Sequence, residues 1–203
     1  MESKWVETVM PEDVQELLVE KDYEGYSSQY LQLNALRKDY DGSFEVLAMP
    51  CHQFLLQEPA KDEELLNSLK YVRPGNGYEP NFIMTAKDEV NGQNEHPLYT
   101  FLKSRCPPVK DTIGNPDNFY WSPIKNGDIT WNFNKFLIHP NGQPYKRYDS
   151  AVEPPAIEDD IREILGLPPV GLHVAEAEQN DLTVRGQFKR LFGQFQDGFY
   201  NKE

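Results

Sequence analysis

The sequence predicts a layered α/β domain, and three observations carry that reading. Segments with helical spacing of apolar residues alternate with short runs that read as strands. One such run, residues 44–49, is largely apolar and is closed by Pro50, as suits a strand buried on both faces of a parallel sheet. Near the far end, Pro140-Asn141-Gly142 joins two strand-like runs, and a helical segment closes the pattern.

Residues 1–22 form an acidic lead in which Val14, Leu17 and Leu18 give a little amphipathic spacing; it reads as a weak helix or as a poorly ordered terminus. Residues 28–40 have a helical period. Ser28 can cap, Tyr30, Leu33, Leu36 and Tyr40 share a face, and Asp41-Gly42 breaks the run. After the 44–49 strand, residues 62–72 are helical again, with Leu65, Leu66, Leu69 and Val72 inward, until Pro74-Gly75-Asn76-Gly77. Residues 81–85 suit a strand. Residues 97–105 suit a helix with Pro97 in its first turn, stopped by Cys106-Pro107-Pro108.

Residues 107–128 make a long polar connection that carries Phe119, Tyr120 and Trp121. Structureless loops of that length are uncommon in compact domains unless they serve function or contact. Its aromatic cluster makes it a candidate subunit interface. Residues 129–138 read as a strand, 143–148 as its hairpin partner, and 157–165 as a helix stopped at Gly166. Beyond lies a linker with Pro168, Pro169 and Gly171. Val184, Phe188, Leu191, Phe192 and Phe195 then fall at helical spacing, an amphipathic helix that docks on the body or on a partner.

The 203 residues suffice for a core without disulfide staples. A net charge of −13 with no cluster of Lys and Arg argues against nucleic acid as a partner. The same charge opposes docking on an anionic membrane. No run at the start has signal-peptide character and none is long enough to span a bilayer, so the chain as written is expected to be cytoplasmic. Cys51 and Cys106 lack metal-site spacing and can form at most one disulfide.

One ordered series of motifs goes further. Met49-Pro50-Cys51-His52-Gln53-Phe54-Leu55-Leu56-Gln57-Glu58-Pro59 resembles the glutathione peroxidase motif FPCNQFxxQEP. Residues 69–82 (LKYVRPGNGYEPNF), Glu89-Val90-Asn91-Gly92, His96-Pro97-Leu98-Tyr99, Tyr120-Trp121-Ser122-Pro123 and Trp131-Asn132-Phe133-Asn134-Lys135-Phe136-Leu137 continue it in order. The resemblance runs from about Gly25 to Leu165. It divides the chain into a divergent lead (1–24), a glutathione peroxidase-like domain (25–166), and a linker with a C-terminal helix (167–203).

The resemblance implies a thioredoxin-like fold, a central mixed sheet flanked by helices. It implies reduction of hydrogen peroxide or organic hydroperoxides in response to oxidative stress, with glutathione as reducing co-substrate and no other cofactor. In the family a selenocysteine or cysteine attacks the peroxide amid a glutamine, a tryptophan and an asparagine, matched here by Gln57, Trp131 and Asn132. The chemistry suits those types: the nucleophile is an anion, and non-ionising amide and indole N–H donors stabilise it without competing for protons.

The departure from the pattern is at the nucleophile itself. Counting back from the helix Gln29-Tyr30-Leu31-Gln32-Leu33-Asn34-Ala35-Leu36 places Glu24 at that position, just before Gly25. A carboxylate has no sulfur or selenium to oxidise and restore. The strand expected before it reads Gln15-Glu16-Leu17-Leu18-Val19-Glu20-Lys21-Asp22, too charged for a central position, so the N-terminal strand is expected to be incomplete. Either the chain derives from a gene reading that skipped a selenocysteine codon, or it is a genuine inactive relative that acts as a binding or structural protein.

Cys51, at the end of a buried strand, is expected to be inert. Cys106, at a helix end, is expected to be more exposed and able to pair with another chain. The helix over residues 62–72 has no second cysteine, which resembles the glutathione-using branch of the family. Arg73, in the KYVRP motif, and Arg147, beside Lys146, are the candidate glutathione contacts, while Asp149-Ser150-Ala151 replaces an expected basic run. The 107–128 loop resembles tetrameric members, so a homotetramer is expected. The Cys-Pro-Pro segment resembles secreted plasma-type members, which makes secretion the alternative location if the true N-terminus is missing.

Overall fold

A computed structural model describes the backbone of residues 14–20 and the whole of residues 26–170. Glu24, Gly25 and the helical pattern at 184–195 lie outside the described residues. The chain divides into two compact units, residues 1–165 and 166–203.

In chain order its elements are β1 (Val14–Glu20), α1 (Ser27–Asp39), β2 (Phe44–Pro50), a 3-10 turn at Asp62–Glu64 leading into α2 (Leu65–Tyr71), β3 (Ile83–Met84), α3 (Pro97–Arg105), β4 (Lys135–Ile138), β5 (Pro144–Tyr148) and, after a 3-10 turn at Pro154–Ile157, α4 (Glu158–Ile164). The sheet runs β3-β2-β1-β4-β5. β1 is parallel to β2, with Leu17 opposite Leu47, and antiparallel to β4, with Leu17 opposite Phe136. β3 is parallel to β2, and β5 is antiparallel to β4.

The N-terminal strand is thus central, pairing along Val14–Glu20 with β2 and along Gln15–Leu18 with β4, which corrects the expectation that its charges bar it from that position. Ladder hydrogen bonds are made by the backbone whatever the side chains. The second correction concerns residues 129–138, where only Lys135–Ile138 is strand. Phe133 takes a left-handed φ of 56°, which no extended chain can follow. Trp131 and Asn132 therefore stand on a loop.

Side-chain alternation along β2 builds a core on each face of the sheet. Phe44, Val46 and Ala48 join Tyr30, Leu33 and Leu36 of α1, Leu137 of β4 and Ile161 of α4. Leu47 and Met49 join Tyr99 and Leu102 of α3 and Phe136 and Ile138 of β4. At about 1.5–3 kcal/mol per large apolar side chain removed from water, these two layers are the main force that holds the sheet. α1 is also tied laterally: the Asn34 carboxamide accepts from the Asn81 N–H at 3.0 Å and donates to the Glu79 carbonyl at 2.9 Å.

The 107–128 connection folds back on the body. Phe119 stacks on Trp121 at 4.4 Å between ring centroids, and Trp121 meets Phe54 edge-on at 5.4 Å. Of the three aromatics expected to form an interface cluster, only Tyr120 is exposed. Cys106 is buried and its thiol is free, contrary to the expected exposure, because it packs in the same apolar layer as Leu102 and Phe136.

Candidate active site

Two loops and one helix end build the site. The first loop leaves β2 and turns through Leu55 and Leu56, both left-handed at φ 48° and 50°, into Gln57. Such conformations cost on the order of 1–3 kcal/mol each for non-glycine residues and persist only where the surroundings over-determine them. Here the Gln57 N–H bonds the Phe54 carbonyl at 3.1 Å, closing the turn, while Phe54 is anchored in the core. The second loop enters β4 through Trp131, Asn132 and left-handed Phe133. Strained residues thus flank Gln57 on one loop and Asn132 on the other.

The two loops meet directly. The Asn132 Nδ2 donates to the Gln57 Oε1 at 2.9 Å. Asn132 is fully buried, and its own Oδ1 has no hydrogen-bond partner. Trp131 is half-buried, with its ring 6.2 Å from that of Phe54. The start of α1 reaches the same place: Tyr26, its N-cap residue, stacks on Phe133 at 5.5 Å, and Tyr30 meets Phe133 edge-on at 5.4 Å. Among the described residues no side chain caps the first turn of α1 and no acidic residue occupies it, so its N–H groups and partial positive charge are available to an anion.

Gln57, Arg73 and Tyr30 line an open cavity of about 930 Å³, together with Glu58, Glu64 and Ser68. Trp131 lines a smaller hollow of about 280 Å³ with Lys110, Asn115, Phe119 and Thr130. The carboxamides and the beginning of α1 therefore converge, while the indole stands beside them on the wall shared with the 107–128 loop. Glu24 lies outside the described residues, two positions before the α1 N-cap in sequence.

The expected glutathione contacts separate. Arg73 is exposed at the cavity rim. Arg147 turns inward: Nε donates to Asn134 Oδ1 at 2.8 Å, Nη1 to the Gly127 carbonyl at 2.8 Å, and Nη2 to the Asp128 carbonyl at 3.1 Å. It is 5% exposed and burial lowers its pKa, so it braces the second loop and has no rim position from which to meet a ligand. Asp149, where a basic run was expected, pairs with Lys110 at 2.8 Å. Burial opposes its ionisation, but the Lys110 ammonium and the Ala151 N–H outweigh burial and hold the carboxyl below its ordinary value.

Sequence reading missed the residues that bring the two loops together. The Gln53 Oε1 accepts from the Val90 and Asn91 N–H groups, each at 3.0 Å. Asn91 then grips Ile129 like a strand neighbour, donating to its carbonyl at 2.8 Å and accepting from its N–H at 2.9 Å. Asp128 accepts from Lys103, the Trp121 indole and the Lys125 N–H. Buried amides and acids must find partners, but two motif segments and the end of a polar connection carried no signal that Gln53, Asn91 and Asp128 are buried.

Both cysteines are free and buried. Cys51 is 1% exposed, and burial pushes its thiol up to about 12 against smaller opposing effects of nearby backbone N–H groups. Burial raises the Cys106 thiol as well. Among the described residues no group of His, Cys, Asp and Glu is gathered as a metal site. Nor is any helix of these residues long and apolar enough to cross a membrane.

Comparison with known proteins gives one answer. The glutathione peroxidase family model matches residues 19–103, beginning inside β1 and thus upstream of the motif resemblance. Glutathione peroxidase 2 of Mus musculus is 47% identical over 140 residues, spanning 67% of this chain and 74% of that protein. Glutathione peroxidase 3 of Bos taurus is 44% identical over 140 residues, spanning 68% of this chain and 62% of that protein. The crystal structure of Trgpx in apo form aligns with a TM-score of 0.52 at 28% identity, covering 78% of this chain and 84% of that one. The crystal structure of T. cruzi GPX1 gives 0.51 at 27% identity, over 77% and 84%.

Proposed function

The chain belongs to the glutathione peroxidase family, with its thioredoxin-like fold, and from that premise we propose a site shaped for glutathione-driven hydroperoxide reduction in a polypeptide that does not itself turn over. The observation that carries this reading is the Gln57–Asn132 contact at the edge of an open cavity, beside the start of α1. Neutral donors and a helix N-terminus favour an anion there. Glu24 supplies a carboxylate where the family has sulfur or selenium, and the buried Cys51 thiol is protonated at neutral pH.

The chemistry the site would serve is a two-electron transfer. With a thiolate at position 24, sulfur attacks one peroxide oxygen, the O–O bond breaks, and the departing oxygen leaves as water or alcohol after taking a proton. The resulting sulfenic acid is reduced by two glutathione thiols. The first displaces water and forms a mixed disulfide; the second releases the thiolate and glutathione disulfide. Arg73 at the rim is the described cation suited to an anionic glutathione carboxylate. The wider role is in the response to oxidative stress, and the assembly is a homotetramer.

The test is a coupled assay with hydrogen peroxide, glutathione and glutathione reductase. The chain as given is expected to show no turnover, and Glu24→Cys is expected to gain it. Absence of turnover in a folded Glu24→Cys protein overturns the proposal. Turnover in the unaltered chain that Cys51→Ser abolishes would move the chemistry to Cys51. A folded chain that is inert with either residue at position 24 is the result that favours a non-catalytic binding or structural homologue.

A further inference from the structure

We infer that Asn132 is a positioning residue: its amide holds the Gln57 carboxamide so that the Nε2 donor, and not the Oε1 acceptor, faces the cavity. The inference rests on the site reading above, but assigns Asn132 a different task from that of a direct donor to the anion. A carboxamide has two unlike ends, and its terminal torsion is soft, so either end can be presented at little intrinsic cost. For an anion in the cavity the choice matters greatly, because the N–H end attracts and the carbonyl end repels.

Three observations fix the choice. The Asn132 Nδ2 is the donor and the Gln57 Oε1 the acceptor at 2.9 Å, which leaves both Nε2 hydrogens of Gln57 unengaged by Asn132. Among the described residues no other hydrogen bond is made by the Gln57 side chain, so of their contacts this one selects its orientation. Asn132 is fully buried and already bonded through Nδ2, whereas Gln57 is half-buried on the cavity wall. The group that touches the cavity is Gln57, and Asn132 acts through it. The left-handed turns at Leu55, Leu56 and Phe133 bring the two amides together.

The orphaned Asn132 Oδ1 fits this role. Reversing both amides would satisfy that acceptor with the Gln57 Nε2, but would leave the Asn132 NH2 as the buried group without a partner. Buried donors without partners are rarer in proteins than buried carbonyls with an empty lone pair. The observed arrangement leaves the less costly group unsatisfied and presents the more useful one.

The first test uses the full chain carrying Glu24→Ala, which leaves no carboxylate at position 24 to accept from Gln57, labelled with nitrogen-15, and follows solvent exchange of the Gln57 side-chain NH2 by NMR. Exchange at the rate of an exposed glutamine is expected. Exchange slowed about tenfold or more, as one hydrogen bond to Nε2 would cause, overturns the inference. The second test is a double-mutant cycle on the thiol of Glu24→Cys, titrated by its absorbance near the thiolate band. Gln57→Ala and the Gln57→Ala/Asn132→Ala pair are expected to give the same thiol pKa. Additive shifts mean that Asn132 donates to the anion itself and also overturn it. A Glu24→Cys thiol that titrates like free cysteine and reduces no peroxide counts against the peroxidase reading, while amide exchange still decides the orientation of Gln57.

Discussion

Cys51 illustrates how burial holds a thiol in its protonated form. Its Sγ accepts from the Gln53 N–H at 3.4 Å and is sealed by Phe54, Val90 and Tyr99. With the thiol pushed up to about 12, native protein at pH 8 is expected to resist iodoacetamide, and urea-unfolded protein to react at once; mass spectrometry distinguishes them. The sign of the pH effect follows. The folded thiol keeps its proton at pH values where the unfolded one has lost it, so stability is intact below the ordinary thiol pKa and falls as pH rises toward 12. Gly92 is a second case. At φ +90°, a Cβ there would lie 3.1 Å from both the Trp121 Cβ and the Ser122 carbonyl oxygen. Gly92→Ala is expected to cost roughly 1–3 kcal/mol in a urea titration, from strain plus displacement of the 121–122 segment.

At the scale of elements, the segment before β4 shows how side chains can replace a ladder. Residues 129–134 have the composition of a strand, yet Asn91 supplies the hydrogen bonds that a neighbouring strand would have made to Ile129. Asp128 anchors the same segment from a nearly inaccessible position, with its side chain 1% exposed and 3.1 Å from the Lys103 ammonium. Asp128→Ala removes that partner and leaves the Trp121 indole without an acceptor. The expected loss is about 3 kcal/mol, at the low end for a broken buried pair because Glu95 still faces Lys103. Equilibrium denaturation measures it. Burial opposes ionisation of Glu95, but Lys103 and Thr100 outweigh burial and lower its pKa. Its contribution is therefore present above the ordinary carboxylate range and disappears as the medium is acidified through its folded value.

Across the whole molecule, the arrangement depends on β1, which joins the parallel β2–β3 half to the antiparallel β4–β5 half. Leu17→Pro deletes a backbone donor and forces a ring into a strand paired on both edges. Loss of cooperative thermal unfolding by circular dichroism is expected. A variant that melts like the parent would place β1 outside the sheet.

The sequence by itself determined the layered class, the order of α1, β2, α2, α3, β5 and α4, and the motif residues Gln57, Trp131 and Asn132. Those features are local: periodic burial, turn chemistry and ordered motifs are written along the chain. What only the tertiary structure decided was contact between distant segments. β1 was obscured because charge at Glu16 and Glu20 masks a pairing made by backbone groups. The early end of β4 hangs on an asparagine remote in sequence. Arg147 carries the same charge at the rim or in the interior, and only the carbonyls of Gly127 and Asp128 place it inside. The Gln57–Asn132 bond links residues 75 apart in sequence, and no pattern along a chain states which end of an amide faces which.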